Sequence, residues 1–287
     1  MVTERFLGRG AIDSTWIGLY CFLFMPVAIS LRLFLPALLT FSVSHVLAAS
    51  QVNVGEDQAN QGMYNGAWND GTGGDNGFFA WKMVSKTAGD GSFAGHYLGK
   101  KGEQKGLEAI TTDRAFALYA NGRGFEESVA FRGIAVPLER GDNLSFDILH
   151  GPFVRKAGED DPAPGEVGVS YRTGNAQGSV DDVDAGARLR FFAREGSPNY
   201  LISDSEKEFD TGVPISREAV ALTLTLVDAD TYDLEVISLH DNSVKLIEGR
   251  KFGGEPGAPI QSLAFFNRDG EANDLYFNNF QLSRNAP

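Results

Sequence analysis

The sequence predicts an all-β protein, a sandwich of about 12–14 antiparallel strands behind a hydrophobic N-terminal segment. Three observations carry that expectation. The 287 residues include 34 Gly, 21 Phe and 8 Tyr, a mixture that suits turns and pleated faces better than helices. Thirteen short apolar or alternating runs recur between turn-forming residues, and no amphipathic helix longer than two turns interrupts them.

Taken in order, the chain opens with two apolar runs, Thr15 to Ile29 and Leu31 to Val43, with Arg32 the one charge between Ser14 and Ser44. The second run ends in Val46-Leu47-Ala48, the small-residue pattern of a signal-peptidase site. Residues 1–48 are therefore expected to be a signal peptide or hydrophobic export segment, and 49–287 a single β-sandwich domain. Pro26, Pro36 and Arg32 break the stretch that would otherwise read as a membrane span, so none is expected in the mature protein. The predicted location is secreted, cell surface or periplasm.

The strands follow at Phe78–Val84, Phe93–Leu98, Ala115–Ala120, Ser128–Val136, Leu144–Ile148, Val167–Arg172, Arg188–Ala193 and Tyr200–Ser203. After them come Ala221–Leu226, Tyr232–Val236, Val244–Glu248, Ser262–Phe266 and Leu275–Leu282. The plainest is Ala221–Leu226, with three leucines on one face and polar residues on the other. Asp228-Ala229-Asp230 turns it into the next strand as a hairpin. Arg155–Gly165 and Thr173–Gly186 read as excursions between strands rather than joints between domains.

The net charge of −13 argues against nucleic acid and anionic membrane partners, which select basic surfaces. The lone Cys21 allows no internal disulfide and no thiolate zinc cluster.

Asn65-Gly66-Ala67-Trp68-Asn69-Asp70-Gly71, followed by Gly74-Asp75-Asn76-Gly77-Phe78-Phe79-Ala80-Trp81, resembles the opening of a group of secreted bacterial proteins of mostly uncharacterised function. These are jelly rolls of the concanavalin A-like lectin/glucanase type. Arg114–Asn121, Asp228–Tyr232 and Asn273–Phe280 resemble later signposts of that group. The resemblance spans Asn53 to Ser283 and implies a concanavalin-like jelly roll; it does not imply an activity.

A sandwich lectin holds a sugar by stacking its C–H face on an exposed ring while amides and carboxylates bond the hydroxyls. Tyr64, Trp68, Asn69 and Asp70 form a suitable cluster, with Trp68 as the ring; Trp81 lies in an apolar strand and reads as core. Calcium takes about six to eight oxygens from irregular loops. Asp70, Asp75 and Asn76 on the Gly-rich loop, and Asn273 with Asp274 before the last strand, are the candidate ligands for a structural Ca²⁺. Asp181, Asp182 and Asp184 form a third acidic loop, without EF-hand spacing.

No Glu-x-Asp-x-x-Glu run of the glucanases is present, and Asp233 with Glu235 reads as a solvent face. His96, His150 and His240 are too widely spaced for a recognisable catalytic pattern. The expectation is an exported, non-catalytic module that binds glycan. The alternative is a structural or adhesive piece of the cell envelope or matrix, with a polysaccharide lyase or glycoside hydrolase behind both.

Overall fold

A computed structural model describes residues 50–87, 93–121, 125–153, 164–175, 177–216, 218–269 and 273–286. The expected export segment lies outside the described residues. No helix among the described residues is long and apolar enough to cross a membrane.

The described chain is built almost wholly of strands: β1 (Gln51–Asp57), β2 (Lys82–Lys86), β3 (Ala94–Lys100), β4 (Arg114–Ala120) and β5 (Glu127–Gly133). Next come β6 (Asn143–His150), β7 (Glu166–Arg172), β8 (Ala187–Arg194), β9 (Asn199–Asp204) and β10 (Lys207–Pro214). The last five are β11 (Val220–Asp228), β12 (Thr231–Ser238), β13 (Val244–Lys251), β14 (Ser262–Arg268) and β15 (Leu275–Asn285). Three short 3₁₀ turns, Gly62–Tyr64, Leu107–Ala109 and Val180–Val183, complete the described elements.

The strands make two antiparallel sheets. One has eight strands in the order β13-β12-β11-β6-β15-β4-β3, with β1 paired to β15; the other has seven, β10-β9-β8-β7-β14-β5-β2. From β4 to β7 successive strands alternate between the sheets, and β14 and β15 return to the middle of each, the crossing pattern of a jelly roll. The all-β sandwich expected from the sequence is what the chain forms.

Period-2 alternation explains why the sheets face one another. In β14, Leu263 and Phe265 enter the core between the sheets, while Ala264 and Phe266 belong to a second apolar cluster outside it. Leu222, Leu224, Leu234 and Val236 do the same inward work in β11 and β12. Aromatic rings fill the centre of the sandwich. Phe265 stacks on Phe277 at 4.0 Å, and Trp81 lies 5.1 Å from Phe116 and 5.7 Å from Phe280.

Two strands were not expected. β1 has an exposed, unpatterned run in Val52, Asn53 and Val54, and β10 begins with four exposed residues, Lys207 to Asp210. Neither shows the alternation that marks a half-buried strand. The strand expected from Phe78 begins only at Lys82, because Phe78 makes just one isolated bridge, to Ile134.

Candidate functional site

The Gly-rich segment that resembled a ligand loop is a piece of core. Trp68 is 2% exposed and Tyr64 fully buried, so neither offers a sugar a free ring face. Trp68 instead meets Trp81 edge-on at 5.3 Å and Phe116 at 4.8 Å. The Tyr64 hydroxyl donates to both oxygens of Asp57 at 2.9 Å, and Trp81 Nε1 donates to the same carboxylate at 3.2 Å. Asp57 also pairs with the buried Arg132 at 2.6 Å. The polar tips of both rings are thus consumed by a buried ion pair. Gly73 passes directly over that network at φ +78°, where a Cβ would stand 2.1 Å from the Tyr64 hydroxyl. Sequence pattern alone does not separate an aromatic that plugs a core from one that faces a ligand, and Trp68 is corrected on that ground.

The metal candidates divide. Asp70 is exposed beside Asn69, and its carboxylate is committed to Lys82 Nζ at 2.8 Å and to the Met83 N–H at 2.9 Å. Those bonds hold its pKa below the usual carboxylate range, against the smaller access to water that would raise it. Asp75 and Asn76 are exposed, and the Asn76 carbonyl accepts from the Glu56 N–H. The loop therefore does not converge as a metal cage. Asp274 accepts from the Tyr97 hydroxyl at 2.7 Å and from Asn121 Nδ2 at 3.3 Å.

Asn273 is different. It is fully buried, as is Asn267, and the side-chain oxygens of both have no hydrogen-bond partner. Asn267 Nδ2 donates to the Asn273 carbonyl at 2.6 Å, so the two amides sit together beside His150. The orphaned oxygens are neutral amides, and among the described residues no three His, Cys, Asp or Glu side chains converge to hold a metal ion.

The sequence reading missed the site the structure brings together. On the outward face of the seven-stranded sheet, a cleft of about 460 Å³ is lined by Lys86, Phe125, Glu127, Pro164, Glu166, Asp181, Asp184, Arg194 and Arg268. Phe125 is 40% exposed, and Lys86 Nζ lies 5.8 Å from its ring centre. Glu126, next in the chain, accepts from the Phe93 N–H at 2.9 Å and so ties a second exposed ring, Phe93, to the same corner. Across the cleft, Arg194 Nε donates to Glu166 at 2.8 Å and Arg190 to the same carboxylate at 2.7 Å. Arg268 pairs with Glu127, and with Asp184 at 2.9 Å.

The guanidinium groups lie on rings beneath them. Arg190 stands 4.7 Å from the Phe192 centre and 5.0 Å from Phe266, and Arg268 5.1 Å from Phe266. Beside this face, the Val180–Val183 turn covers Val129, Phe131, Phe192 and Phe266 and holds Asp181 and Asp184 at the rim. Asp182 closes its capping box with Ser179. The third acidic loop is therefore a wall of the cleft.

Glu127 is 3% exposed, and burial raises its pKa while Arg268 opposes that shift. It forms the floor, covered and ion-paired, rather than an acid reaching a bound substrate. A second groove of about 410 Å³ opens between β10 and β13, lined by four valines and Pro214 with Glu218, His240, Asp241 and Lys245 around them, and offers no Phe, Tyr or Trp ring. The only signal for the chosen cleft in the sequence was position. Glu127, Glu166, Arg194 and Arg268 each mark the end of an apolar run, where a strand enters or leaves the sheet.

No protein-family model matches the chain, and no curated protein matches it. Among solved structures it is similar to a carbohydrate esterase from Shiga toxin-encoding bacteriophage phi24B, at 10% identity and a TM-score of 0.45, over 83% of this chain and 100% of that one. It is similar to the Ca²⁺/Man3GlcNAc-bound exoplasmic/lumenal domain of VIP36 at 9% identity and a TM-score of 0.39, over 70% and 84% of the two chains. A sialidase matches 70% of the chain at 12% identity and a TM-score of 0.44, and the chain spans 16% of that protein's length.

Proposed function

We propose that this protein is an exported, non-catalytic glycan-binding module whose site is the cleft beside Phe125. The observation that supports it best is an exposed ring at the mouth of a cleft whose walls carry both carboxylates and guanidinium groups. A ring stacks on the apolar face of a sugar, and the charged walls donate to and accept from its hydroxyls. The partner is a free glycan or one carried by the cell envelope, reached outside the cytoplasm.

Adhesion through strand edges draws less support. The edge strand β13 carries Lys245 and Lys251 and shifts register between Tyr232 and Leu234 of its neighbour, and β10 ends in Pro214. Lysines, bulges and prolines are the features that keep an edge from pairing with another chain.

A structural calcium ion, in this reading, takes the orphaned oxygen of Asn273 among its ligands, where it would stiffen the approach to β15. Calcium is expected to raise the melting temperature and a chelator to reverse the gain; a melting curve indifferent to both removes the ion. The function is tested by a glycan array on the purified chain alongside Phe125→Ala. Saturable binding lost in Phe125→Ala supports the module, and silence of the folded protein across the array refutes it.

A further inference from the structure

We propose that this cleft selects an uncharged glycan laid across the strands, and that its own charges exclude acidic ones. The proposal rests on the glycan reading above and names the ligand class for the same site.

At one register of the seven-stranded sheet, outward side chains alternate in sign from strand to strand. Lys86 of β2 pairs in register with Glu127 of β5, and Glu127 with Arg268 of β14. Arg268 faces Glu166 of β7, and Glu166 faces Arg194 of β8. Neighbouring strands lie about 4.8 Å apart, so the five rungs extend over about 19 Å. That spacing is close to one pyranose ring per rung for an extended chain running across the strands, with Phe125 at the Lys86 end to stack a sugar.

The ladder is already neutralised from within. Arg268 is held by Glu127 and Asp184, and Arg194 by Glu166 and by Glu208 at 2.7 Å. The lining sets three cations, Lys86, Arg194 and Arg268, against four carboxylates, Glu127, Glu166, Asp181 and Asp184. The chain as a whole carries −13. A carboxylated or sulfated polymer therefore meets no spare guanidinium, only the exposed ammonium of Lys86, which the equally exposed Asp181 and the acidic field of the chain outweigh. Hydroxyl groups need break no pair. They donate to the remaining lone pairs and accept from the remaining N–H groups, and the stacking of the arginines on Phe192 and Phe266 fixes where those groups point.

The test is calorimetric titration of the purified chain with neutral xylo- and gluco-oligosaccharides and with oligogalacturonate. The neutral oligomers are expected to bind, with an affinity unchanged as salt rises from about 50 to 500 mM, because no net ionic attraction is there to be screened. Phe125→Ala, at an exposed ring, should weaken that binding roughly tenfold while leaving the melting temperature in place. Asp184→Asn removes a half-exposed carboxylate from both Arg190 and Arg268. It should confer oligogalacturonate binding that the native chain lacks, and that binding should fall with salt.

Oligogalacturonate bound by the native chain as tightly as neutral oligomers would overturn the exclusion and leave the glycan reading standing. Failure of every class with folded protein would overturn both. An Asp184→Asn variant that still refuses oligogalacturonate would overturn the role given to the ladder alone.

Discussion

Asp57 gathers three partners that the sequence scatters over 75 positions, Tyr64, Trp81 and Arg132. Burial raises its pKa, and the adjacent Arg132 charge opposes that shift. Removing one side of a buried pair leaves the other charge without compensation, so Asp57→Ala is expected to cost about 3–5 kcal/mol in urea unfolding. Trp68→Ala should cost a similar 3–5 kcal/mol through the cavity it opens, with the ligand affinity of the folded fraction unchanged. Trp68→Phe should be far milder, since Trp68 Nε1 has no partner to lose. Asp147 offers a pH test. Burial pushes its pKa up to about 6, and the 2.6 Å bond from Asn279 only partly opposes this. A carboxyl raised in the folded state contributes stability that is complete below about pH 4 and is lost as pH rises through about 6. Asp147→Asn should therefore be more stable than the native chain at pH 7, by about 2–3 kcal/mol, with the difference vanishing near pH 4. At this scale the sequence misled where two roles share one residue type. A tryptophan beside Asn and Asp suits a sugar site and an aromatic core equally, and only the Asp57–Arg132 pair, brought together by folding, separates them.

The elements were legible where a strand buries one face. β11 and β12 show four and three inward apolar residues at period 2, and both fell where their pattern placed them. β1 and β10 were invisible because an edge or flanking strand buries too little to impose a pattern; β10 buries Thr211 alone. Outward-facing clusters were equally hidden. In β8, Phe191 enters the core while Phe192 packs outside it, and the sequence reads simply as a doubled aromatic. Gly168 makes room for that outer ring, since a Cβ there would stand 2.3 Å from the Phe191 carbonyl oxygen and 2.6 Å from the Phe192 Cβ. Gly168→Ala is expected to destabilise the sheet and to displace the arginines resting on Phe192, seen as a lowered melting temperature and weakened ligand binding together. The capped turn beside it is a gentler lever. Ser179→Ala removes the oxygen that accepts from the Asp181 N–H and should cost about 0.5–2 kcal/mol.

Across the whole molecule, the two sheets share a design in which consecutive strands pair toward the edges and segments distant in sequence are joined in the middle. β15 shows this most fully. Its first residues pair with β4 and its last with β1, while β6 lies along its other side. The change of partner occurs at a register shift between Asn278 and Gln281, where Asn279 takes φ 57°, a left-handed conformation that asparagine tolerates better than most side chains. Asn278 and Asn279 both donate to the Ile110 carbonyl and so anchor the bend. Sandwiches dominated by such distant pairings fold in milliseconds to seconds, and stopped-flow refolding is expected to fall in that range. During synthesis the consequence is sharper. β14 lies between β5 and β7 in one sheet, and β15 between β6 and β4 in the other, so the first cannot close until β14, nor the second until β15, has left the ribosome. Until then a growing chain holds at most incomplete half-sheets with open centres, and those are what a chaperone meets.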